Sequence, residues 1–125
     1  MTIEYHEPPE ELKPETRDVH RALATLCEEL EAIDWYQHRI DVTQEESLRD
    51  LFEHNRNEEM EHAAMTLEWL RRTLPSLDEQ LKQYLFTEGP VVRPKGVAEA
   101  ESNGGLRSLE IGSLRTPAQD RKKVS

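Results

Sequence analysis

Apolar residues recur at helical spacing along two long stretches of the chain, and both stretches have recognisable ends. We predict a first helix over residues 14–40, because Pro14 suits the first helical position, where its missing N–H costs nothing. A second helix is predicted to run to Thr73, since the Leu74-Pro75 dipeptide that follows disfavours helical backbone. The repeating apolar-side positions of the first helix are Val19, Ala22, Leu23, Leu26, Leu30, Ile33, Gln37 and Ile40. The chain is therefore predicted to be all-α.

Short connections separate the predicted helices. Asp41-Val42 is predicted to form a turn, and Thr43-x-x-Glu46 matches a capping box that opens the second helix. Ser76-x-x-Glu79 is a second match, and it predicts a short third helix that Gly89-Pro90 closes. Because a short turn joins two long helices, we expect them to form an antiparallel hairpin.

The pattern divides the chain into three regions. Residues 1–13, with Pro8 and Pro9, are predicted to form an irregular N-terminal arm or a short first turn. Residues 14–88 form the helical domain. Residues 89–125 are interrupted by glycine and proline throughout, so they are predicted to be a flexible, disordered tail.

The composition is polar and acidic for a domain of this size. Hydrophobic residues make up 35% of the 125-residue chain and charged residues 34%, which favours helices that complete their burial in an oligomer. The net charge of −10 disfavours nucleic acid and anionic membranes as partners. A single cysteine, Cys27, excludes an internal disulfide framework. We expect no membrane-spanning helix, since no apolar run approaches about 20 residues, and no signal peptide.

A carboxylate and an imidazole stand in the middle of the apolar side of the second helix. Glu59 and His62 are three residues apart, so they project from the same face of that helix. Burying an unpaired charge is costly, so the pair needs protons, partners or a metal ion. This spacing also lets one helix offer two ligands to one cation. Their neighbours on that side are Leu48, Phe52, Asn55, Ala63, Thr66 and Leu70.

The first helix offers a further carboxylate. Glu29 lies near the edge of its apolar stripe, and Tyr36, seven residues later, lies on nearly the same side. One lone glutamate plus one Glu-x-x-His motif is half of the ligand set of ferritin-like di-iron proteins. Two copies of the chain around a two-fold axis would complete the set, so the ligand count predicts a dimer. A carboxylate-rich site with one imidazole per metal favours iron or manganese over structural zinc.

Three other residues on the first helix have two interpretations each. Trp35 points away from the apolar stripe, as either a half-exposed tryptophan or part of a second protein interface. Glu28 and Glu31 also face outward. They either keep the helix soluble or, pooled across subunits, attract cations towards the metal site.

One apolar patch, residues 109–115, interrupts the polar tail. Its apolar side chains belong to Leu109, Ile111 and Leu114. They are either scattered residues of an ordinary tail or a short linear motif that docks into pockets on a partner.

The helical domain closely resembles the encapsulated ferritins, the ferritin-like cargo proteins of encapsulin nanocompartments. Residues 109–115, Leu-Glu-Ile-Gly-Ser-Leu-Arg, also resemble the cargo-loading peptide that encapsulin shells recognise. In this peptide Glu110 replaces the usual small residue, and ten residues follow the motif. The segments that carry the resemblance in the helical domain are residues 28–36, 54–59, 61–72 and 84–90.

The resemblance implies a fold and a site. It implies a half-ferritin, in which two subunits complete a four-helix bundle around a di-iron centre and dimers assemble into a ring, as a homodecamer. The implied ligands are Glu29, Glu59 and His62 of each of two chains. Tyr36 and Trp35 are implied to lie beside these ligands. Glu28 and Glu31 are implied to form a cation access site, open to iron, calcium or other divalent cations.

The resemblance also implies an activity and a location. We expect a ferroxidase that oxidises Fe(II) to Fe(III), with dioxygen or peroxide as the oxidant, inside the lumen of an encapsulin shell in a prokaryotic cytoplasm. The shell would bind the segment near residues 108–115 through Leu109, Ile111, Gly112, Ser113 and Leu114, and would store the mineral. The alternatives are a rubrerythrin-like peroxidase and a non-catalytic protein whose assembly depends on metal.

Overall fold

Helices account for all regular secondary structure in the part of the chain that the structure describes, residues 3–92 of a computed structural model, and these residues contain no strand. The all-α prediction is confirmed. The predicted disorder of the tail concerns mainly residues 93–125, which lie outside the described residues. The elements are a 3-10 turn at Pro9–Glu11 and three α-helices: α1 at Pro14–Val42, α2 at Glu46–Thr73 and α3 at Pro75–Tyr84.

The N-terminal arm is tied to the start of α1. The Arg17 guanidinium donates hydrogen bonds to the carbonyl oxygens of Pro9 at 2.8 Å and Leu12 at 2.9 Å, which fixes the 3-10 turn. The ring of Tyr5 stacks on that of His20, with centroids 4.0 Å apart. The described part of the arm is irregular apart from this 3-10 turn, so it contains both expected features.

The connection between α1 and α2 differs from the prediction. Helix α1 continues through the predicted turn to Val42, and the Thr43 N–H caps it by donating to the Arg39 carbonyl at 2.9 Å. The predicted capping box at Thr43 is wrong, because the cap of α2 is Glu45. The Glu45 carboxylate accepts from the Leu48 N–H at 2.7 Å, so the residue directly before the helix satisfies one of the N–H groups that the first turn leaves free.

That cap has an electrostatic consequence. The Ser47 hydroxyl donates to both carboxylate oxygens of Glu45, at 2.8 and 2.9 Å. This hydrogen bond, with the one from the Leu48 N–H, lowers the pKa of Glu45 below its ordinary value. The charged carboxylate at this position also complements the positive end of the α2 dipole.

Helix α3 begins earlier and ends earlier than the sequence pattern predicts. It starts at Pro75, so Ser76 lies inside the helix and the predicted capping box is wrong. Proline at the first helical position has its φ angle already set, which explains the earlier start. The helix ends at Tyr84, well before Gly89-Pro90, and Phe86 two residues later takes a positive φ of 59°. A residue with positive φ cannot continue a right-handed helix, so the helix does not extend past Phe86.

The two long helices pack against each other as a hairpin with a thin core. In residues 3–92 only Ile40, Ala63 and Leu70 are buried among the hydrophobic side chains, and Leu70 alone is completely inaccessible. A side-chain hydrogen bond joins the two helices, from the Arg56 guanidinium to Gln37 Oε1 at 2.6 Å. A single chain therefore buries little apolar surface, as the polar composition leads us to expect.

Leu70 should carry more of the stability of the hairpin than any other apolar side chain. Replacing Leu70 by alanine removes a fully buried side chain, which costs about 2–5 kcal/mol of unfolding free energy. The control is Val42→Ala, since Val42 is 77% exposed and its loss should cost far less. Thermal unfolding of the metal-free protein, followed by circular dichroism, compares the two. Equal losses in both variants would contradict this account of the core.

The end of α2 is held by a cluster of charged side chains. The Glu68 carboxylate accepts two hydrogen bonds from Arg71, at 2.8 and 2.7 Å, and one from Arg72 at 2.6 Å. Arg71 also donates to Asp78 at the start of α3. These hydrogen bonds, first from Arg71 and then from Arg72, lower the pKa of Glu68 to about 2.

This lowered pKa predicts a defined dependence of stability on pH. Because the pKa of Glu68 lies below its ordinary value of 4.5, its stabilising contribution is fully present above about pH 4.5. The contribution is lost as the pH falls from there towards 2. The melting temperature of Glu68→Gln should therefore lie below that of the wild type at pH 6, with the gap closing on acidification. Glu53→Gln, an exposed change on the same helix, is the control that should show no such gap.

Within the described residues, no helix has both the length and the apolar character needed to cross a membrane.

Candidate metal centre

Helix α2 brings Glu59 and His62 side by side. His62 Nδ1 lies 3.6 Å from Glu59 Oε1, and the two side chains are 45% and 27% exposed. That separation exceeds hydrogen-bond distance, so the carboxylate and the imidazole do not satisfy each other. Both groups are therefore available to a third partner, and a cation suits a carboxylate oxygen and an imidazole nitrogen at once.

Glu29 on α1 holds an atom that lacks a partner. Its Oε1 is buried, and no hydrogen-bond donor reaches it within the described residues. A buried carboxylate oxygen without a partner is costly, so such an atom calls for an explanation. Coordination of a metal ion provides one, because a metal ion bound there would neutralise the carboxylate.

The register of the hairpin places these ligands at the same height. The rings of Tyr36 on α1 and Phe52 on α2 are in contact, with centroids 6.0 Å apart. The two helices are antiparallel, so seven residues back along α1 and seven residues forward along α2 cover the same distance in the same direction. This step leads from Tyr36 to Glu29 and from Phe52 to Glu59. Seven residues are close to two turns, which returns to the same face of each helix. Glu29 and Glu59 are therefore level with each other.

One chain does not complete a metal site. Among residues 3–92, no group of three or more histidine, cysteine, aspartate or glutamate side chains could hold a metal ion. The structure thus brings Glu59 and His62 together but does not bring Glu29 into a three-ligand group with them. Completion by a second copy of the chain stays a prediction.

Tyr36 is enclosed on two sides. Phe52 contacts its ring from α2 with an interplanar angle of 38°, and the Arg39 guanidinium lies over the ring at 5.4 Å from its centroid. The sequence analysis did not predict that Phe52 and Arg39 would contact the ring of Tyr36. The spacing of Arg39, three residues after Tyr36, is a signal that could have identified it, because residues three apart are neighbours on a helix.

A single chain does not bring together enough ligands for the implied cation access site. Glu28 is exposed and Glu31 is half-buried, and neither belongs to a group of three potential ligands within the described residues. Calcium or another divalent cation at this position therefore has no support in the single chain. Trp35 is 47% exposed, as the sequence pattern predicts, and its role beside the metal ligands stays a prediction.

The apolar side of the hairpin is open around the candidate ligands. Leu30, next to Glu29, is 53% exposed, and Leu48 is 41% exposed although the sequence pattern placed it on the core face. The pattern was therefore wrong about Leu48, since the buried part of this side of α2 is formed by Ala63 and Leu70. An apolar surface beside a carboxylate pair indicates a face that another protein covers.

Family membership follows from comparison with known proteins. The sequence model of the EncFtn-like family matches residues 4–88 of this chain. The chain belongs to the EncFtn-like family. That match contains all three candidate ligands, and the resemblance to the encapsulated ferritins that the sequence suggested is confirmed.

Individual relatives agree with this assignment. A ferritin-like protein of Thermotoga maritima is 51% identical over 105 residues, covering 84% of this chain and 89% of that protein. An encapsulated ferritin-like protein of Rhodospirillum rubrum is 48% identical over 124 residues, covering 90% of this chain and 89% of that protein. A crystal structure of a Nitrosomonas europaea protein is 52% identical, with a TM-score of 0.69, and covers 71% of this chain and 98% of its own. Membership in this EncFtn-like family supports a ferritin-like, iron-related function.

Proposed function

We propose that this EncFtn-like protein is a ferroxidase that oxidises Fe(II) to Fe(III) at a di-iron site shared between two subunits. The observation that carries the proposal is the buried, unpartnered Oε1 of Glu29, level with the adjacent Glu59 and His62. These residues are acids and a histidine with unused bonding capacity on facing helices. They fit iron, because carboxylate oxygens and imidazole nitrogen are donors that iron accepts.

The number of ligands supports the sharing of the site. Glu29, Glu59 and His62 from each of two chains supply four carboxylates and two imidazoles. That is the set that ferritin-like di-iron proteins draw from four helices, and this chain provides only two long ones. A two-fold axis would place the same three residues of each chain around the metal pair. The exposed Leu30 and Leu48 supply apolar surface for this contact.

Each ligand would have a distinct part in the chemistry. The carboxylates of Glu29 and Glu59 hold negative charge that offsets the charge of the cations, and His62 provides a neutral nitrogen donor. Hard anionic oxygen donors favour Fe(III) over Fe(II), so this set assists the loss of an electron from bound Fe(II). Each Fe(II) bound there would give one electron to dioxygen or peroxide and would leave as Fe(III), which water hydrolyses to oxo-hydroxide with release of protons.

The product would be stored elsewhere. Its Rhodospirillum rubrum relative is described as encapsulated, and we propose that this chain likewise acts in the lumen of an encapsulin shell. Two such subunits enclose no space in which Fe(III) could be stored. The family resemblance implies that the dimers form a decameric ring. We propose that this ring delivers Fe(III) to the surrounding shell. The predicted cargo-loading peptide near residues 108–115 lies outside the described residues.

The test is an anaerobic Fe(II) titration followed by repeated oxygen pulses. We expect Fe(II) to bind without oxidation and then to be oxidised at many equivalents per chain. Oxidation that stops at the bound equivalents would favour the assembly protein, in which metal only joins subunits. A parallel pulse of hydrogen peroxide shows whether the oxidant is dioxygen or peroxide. Peroxide reduction that an added electron donor sustains, without net formation of Fe(III), would favour the rubrerythrin-like peroxidase.

A further inference from the structure

Helix α2 has a second exposed apolar surface, which lies on a different side from Glu59 and His62. Met65 is 58% exposed and Trp69 is 44% exposed, and the two lie one turn apart. We call this surface the Trp69 face, and its residues line one open pocket: Glu61, Ala64, Met65, Glu68, Trp69 and Arg72. At about 100° per residue, its average direction is about 120° around the helix from that of Glu59 and His62. A protein bound to the Trp69 face would therefore approach α2 from another side than the candidate ligands.

The positions of the Trp69 face are symmetric about the midpoint between Thr66 and Leu67. Glu61 and Arg72 lie at equal distances on either side of this midpoint, and the other four lining residues also form two such pairs. Consider a second α2 that runs antiparallel across a two-fold axis at the midpoint. Each member of a pair then lies level with the other member in the second chain. The Trp69 faces of two chains can thus meet in one defined register.

The charges of the Trp69 face are complementary in this register. Glu61 of each chain lies level with Arg72 of the other, which gives one pair of opposite charges at each end of the contact. The Arg72 side chain is 72% exposed. Its Nε donates to Glu68 at 2.6 Å, and a guanidinium has five N–H groups, so donors remain for a second carboxylate. Exposed pairs of this kind add little affinity, but they fix which register two surfaces adopt.

The apolar residues of the Trp69 face are complementary as well. Met65 and Trp69 lie on the same side of the line from Glu61 to Arg72, and a two-fold axis normal to the plane of the two helices leaves that side unchanged. Trp69 of each chain therefore lies within one residue of the level of Met65 in the other. Two methionines and two tryptophans would form one cluster, in which the thioether and the aromatic ring attract each other. Tryptophan and methionine are also enriched at the centres of protein interfaces.

The acidic residues on the other side of the contact do not oppose it. The two Glu68 carboxylates would come close together there, but each is bound within its own chain. Arg71 donates to Glu68 at 2.8 and 2.7 Å, Arg72 donates to it at 2.6 Å, and Arg71 also donates to Asp78. Each chain thus presents two acids and two arginines in one hydrogen-bonded cluster. Because the formal charges in the cluster balance, two such clusters do not repel each other strongly.

We propose that the Trp69 face binds the Trp69 face of a second copy of the chain, in an antiparallel two-fold contact. The contact covers the twelve residues from Glu61 to Arg72, about 18 Å of helix, so we expect it to be weak by itself. It does not rest on the proposed function, since it involves neither iron nor the candidate ligands. A chain with two different self-complementary faces can also build species larger than a dimer, which one two-fold contact alone cannot do.

Cysteine cross-linking of the metal-free, full-length protein tests the register. Glu61→Cys and Arg72→Cys are placed in separate chains, both with Cys27→Ser to remove the native thiol. Packed helices lie about 8–10 Å apart, so α-carbons that face each other are about 4–6 Å apart, which a disulfide spans. Diamide takes two electrons and two protons from the two thiols and becomes the hydrazine. We expect the mixture to give disulfide-linked pairs that contain one chain of each kind.

Two controls distinguish this register from others. Each cysteine variant alone should form few linked pairs, because Glu61 lies about 16 Å along the helix from its own copy in the second chain. His54→Cys, mixed with Arg72→Cys, should also fail to link. His54 lies two turns before Glu61 on the same side of α2 and is 68% exposed, so its thiol is equally accessible but about 10 Å out of register.

The apolar cluster predicts the size of a further effect. Trp69→Ala, added to both chains of the linking pair, should lower the initial rate of cross-linking at least about tenfold, because a tryptophan at the centre of an interface contributes that much and is lost twice here. Val42→Ala is the matched control, since Val42 is 77% exposed and lies outside α2. This control should leave the rate unchanged.

The outcomes separate this inference from the proposed function. Absence of linked pairs in the mixture overturns the inference and would leave the Trp69 face to a different protein. Equal linking of the single variants, equal linking through His54→Cys, or an unchanged rate in Trp69→Ala overturns it too. Because no iron is present, none of these results depends on ferroxidase activity. Failure of the wild type to oxidise Fe(II) beyond stoichiometric binding would overturn the proposed function and leave the cross-links unaffected.

Discussion

Replacing His62 by alanine is expected to remove nearly all catalytic oxidation of Fe(II). Each substitution removes two ligands from a site that two chains share, because symmetry doubles the change. Loss of residues that only support metal ligands already costs about 10–100-fold, so loss of two direct ligands should exceed about 100-fold. The initial rate of Fe(III) formation after an oxygen pulse measures the effect, and Glu59→Ala should behave alike.

His54→Ala is the matched control for this change. His54 lies on the same helix, 4.0 Å from Glu58, much as His62 lies 3.6 Å from Glu59, but the His54 side chain is 68% exposed. This variant should oxidise Fe(II) at the wild-type rate. Wild-type oxidation by His62→Ala, or equal losses in the two variants, would count decisively against the proposed site.

Removing residues 109–125 is expected to abolish loading into an encapsulin shell while leaving ferroxidase activity intact. The segment from Pro90 to Ser108 is about 20 residues, and a flexible chain of that length spans about 25 Å. Several tails on one ring could then bind at once, so weak single contacts would add up to firm attachment. Co-expression with the cognate encapsulin, followed by gel analysis of purified shells, measures loading.

A single substitution tests the motif within the tail. Leu114→Asp should weaken loading, because it places a charge where an apolar pocket is expected. Leu106→Asp, a matched change in the same tail but outside the motif, should load normally. Full loading of the truncated protein would show that the helical domain, and not the tail, directs loading into the shell.

The helices were predictable from the sequence, whereas their ends were predictable only in part. Helical periodicity and Pro75 set the end of α2 correctly at Thr73. The start of α2 was not predictable from the capping-box pattern, because that pattern looks for serine or threonine as the cap and the residue that caps α2 is Glu45. The Glu45 carboxylate makes the hydrogen bond to Leu48, which only the structure shows.

The candidate site also has features that the sequence predicts and features that it does not. Glu59 and His62 were predictable, because their spacing on one helix brings them together whatever the rest of the chain does. The buried, unpartnered oxygen of Glu29 was not predictable, since it depends on how the two helices pack. The proposed full set of ligands needs a second chain, and the geometry of that contact follows neither from the sequence nor from a single subunit.

Sedimentation velocity of the full-length protein under anaerobic conditions, with and without Fe(II), tests the shared site most directly. Without metal, four carboxylates would repel each other where two chains meet, so we expect the chain to be largely monomeric. The proposed site is complete only in the assembly, so Fe(II) should shift the protein to dimers and larger species, saturating near one Fe(II) per chain, as one di-iron site per two chains requires. His62→Ala should not shift. A wild-type protein that stays monomeric at saturating Fe(II) would contradict the shared site.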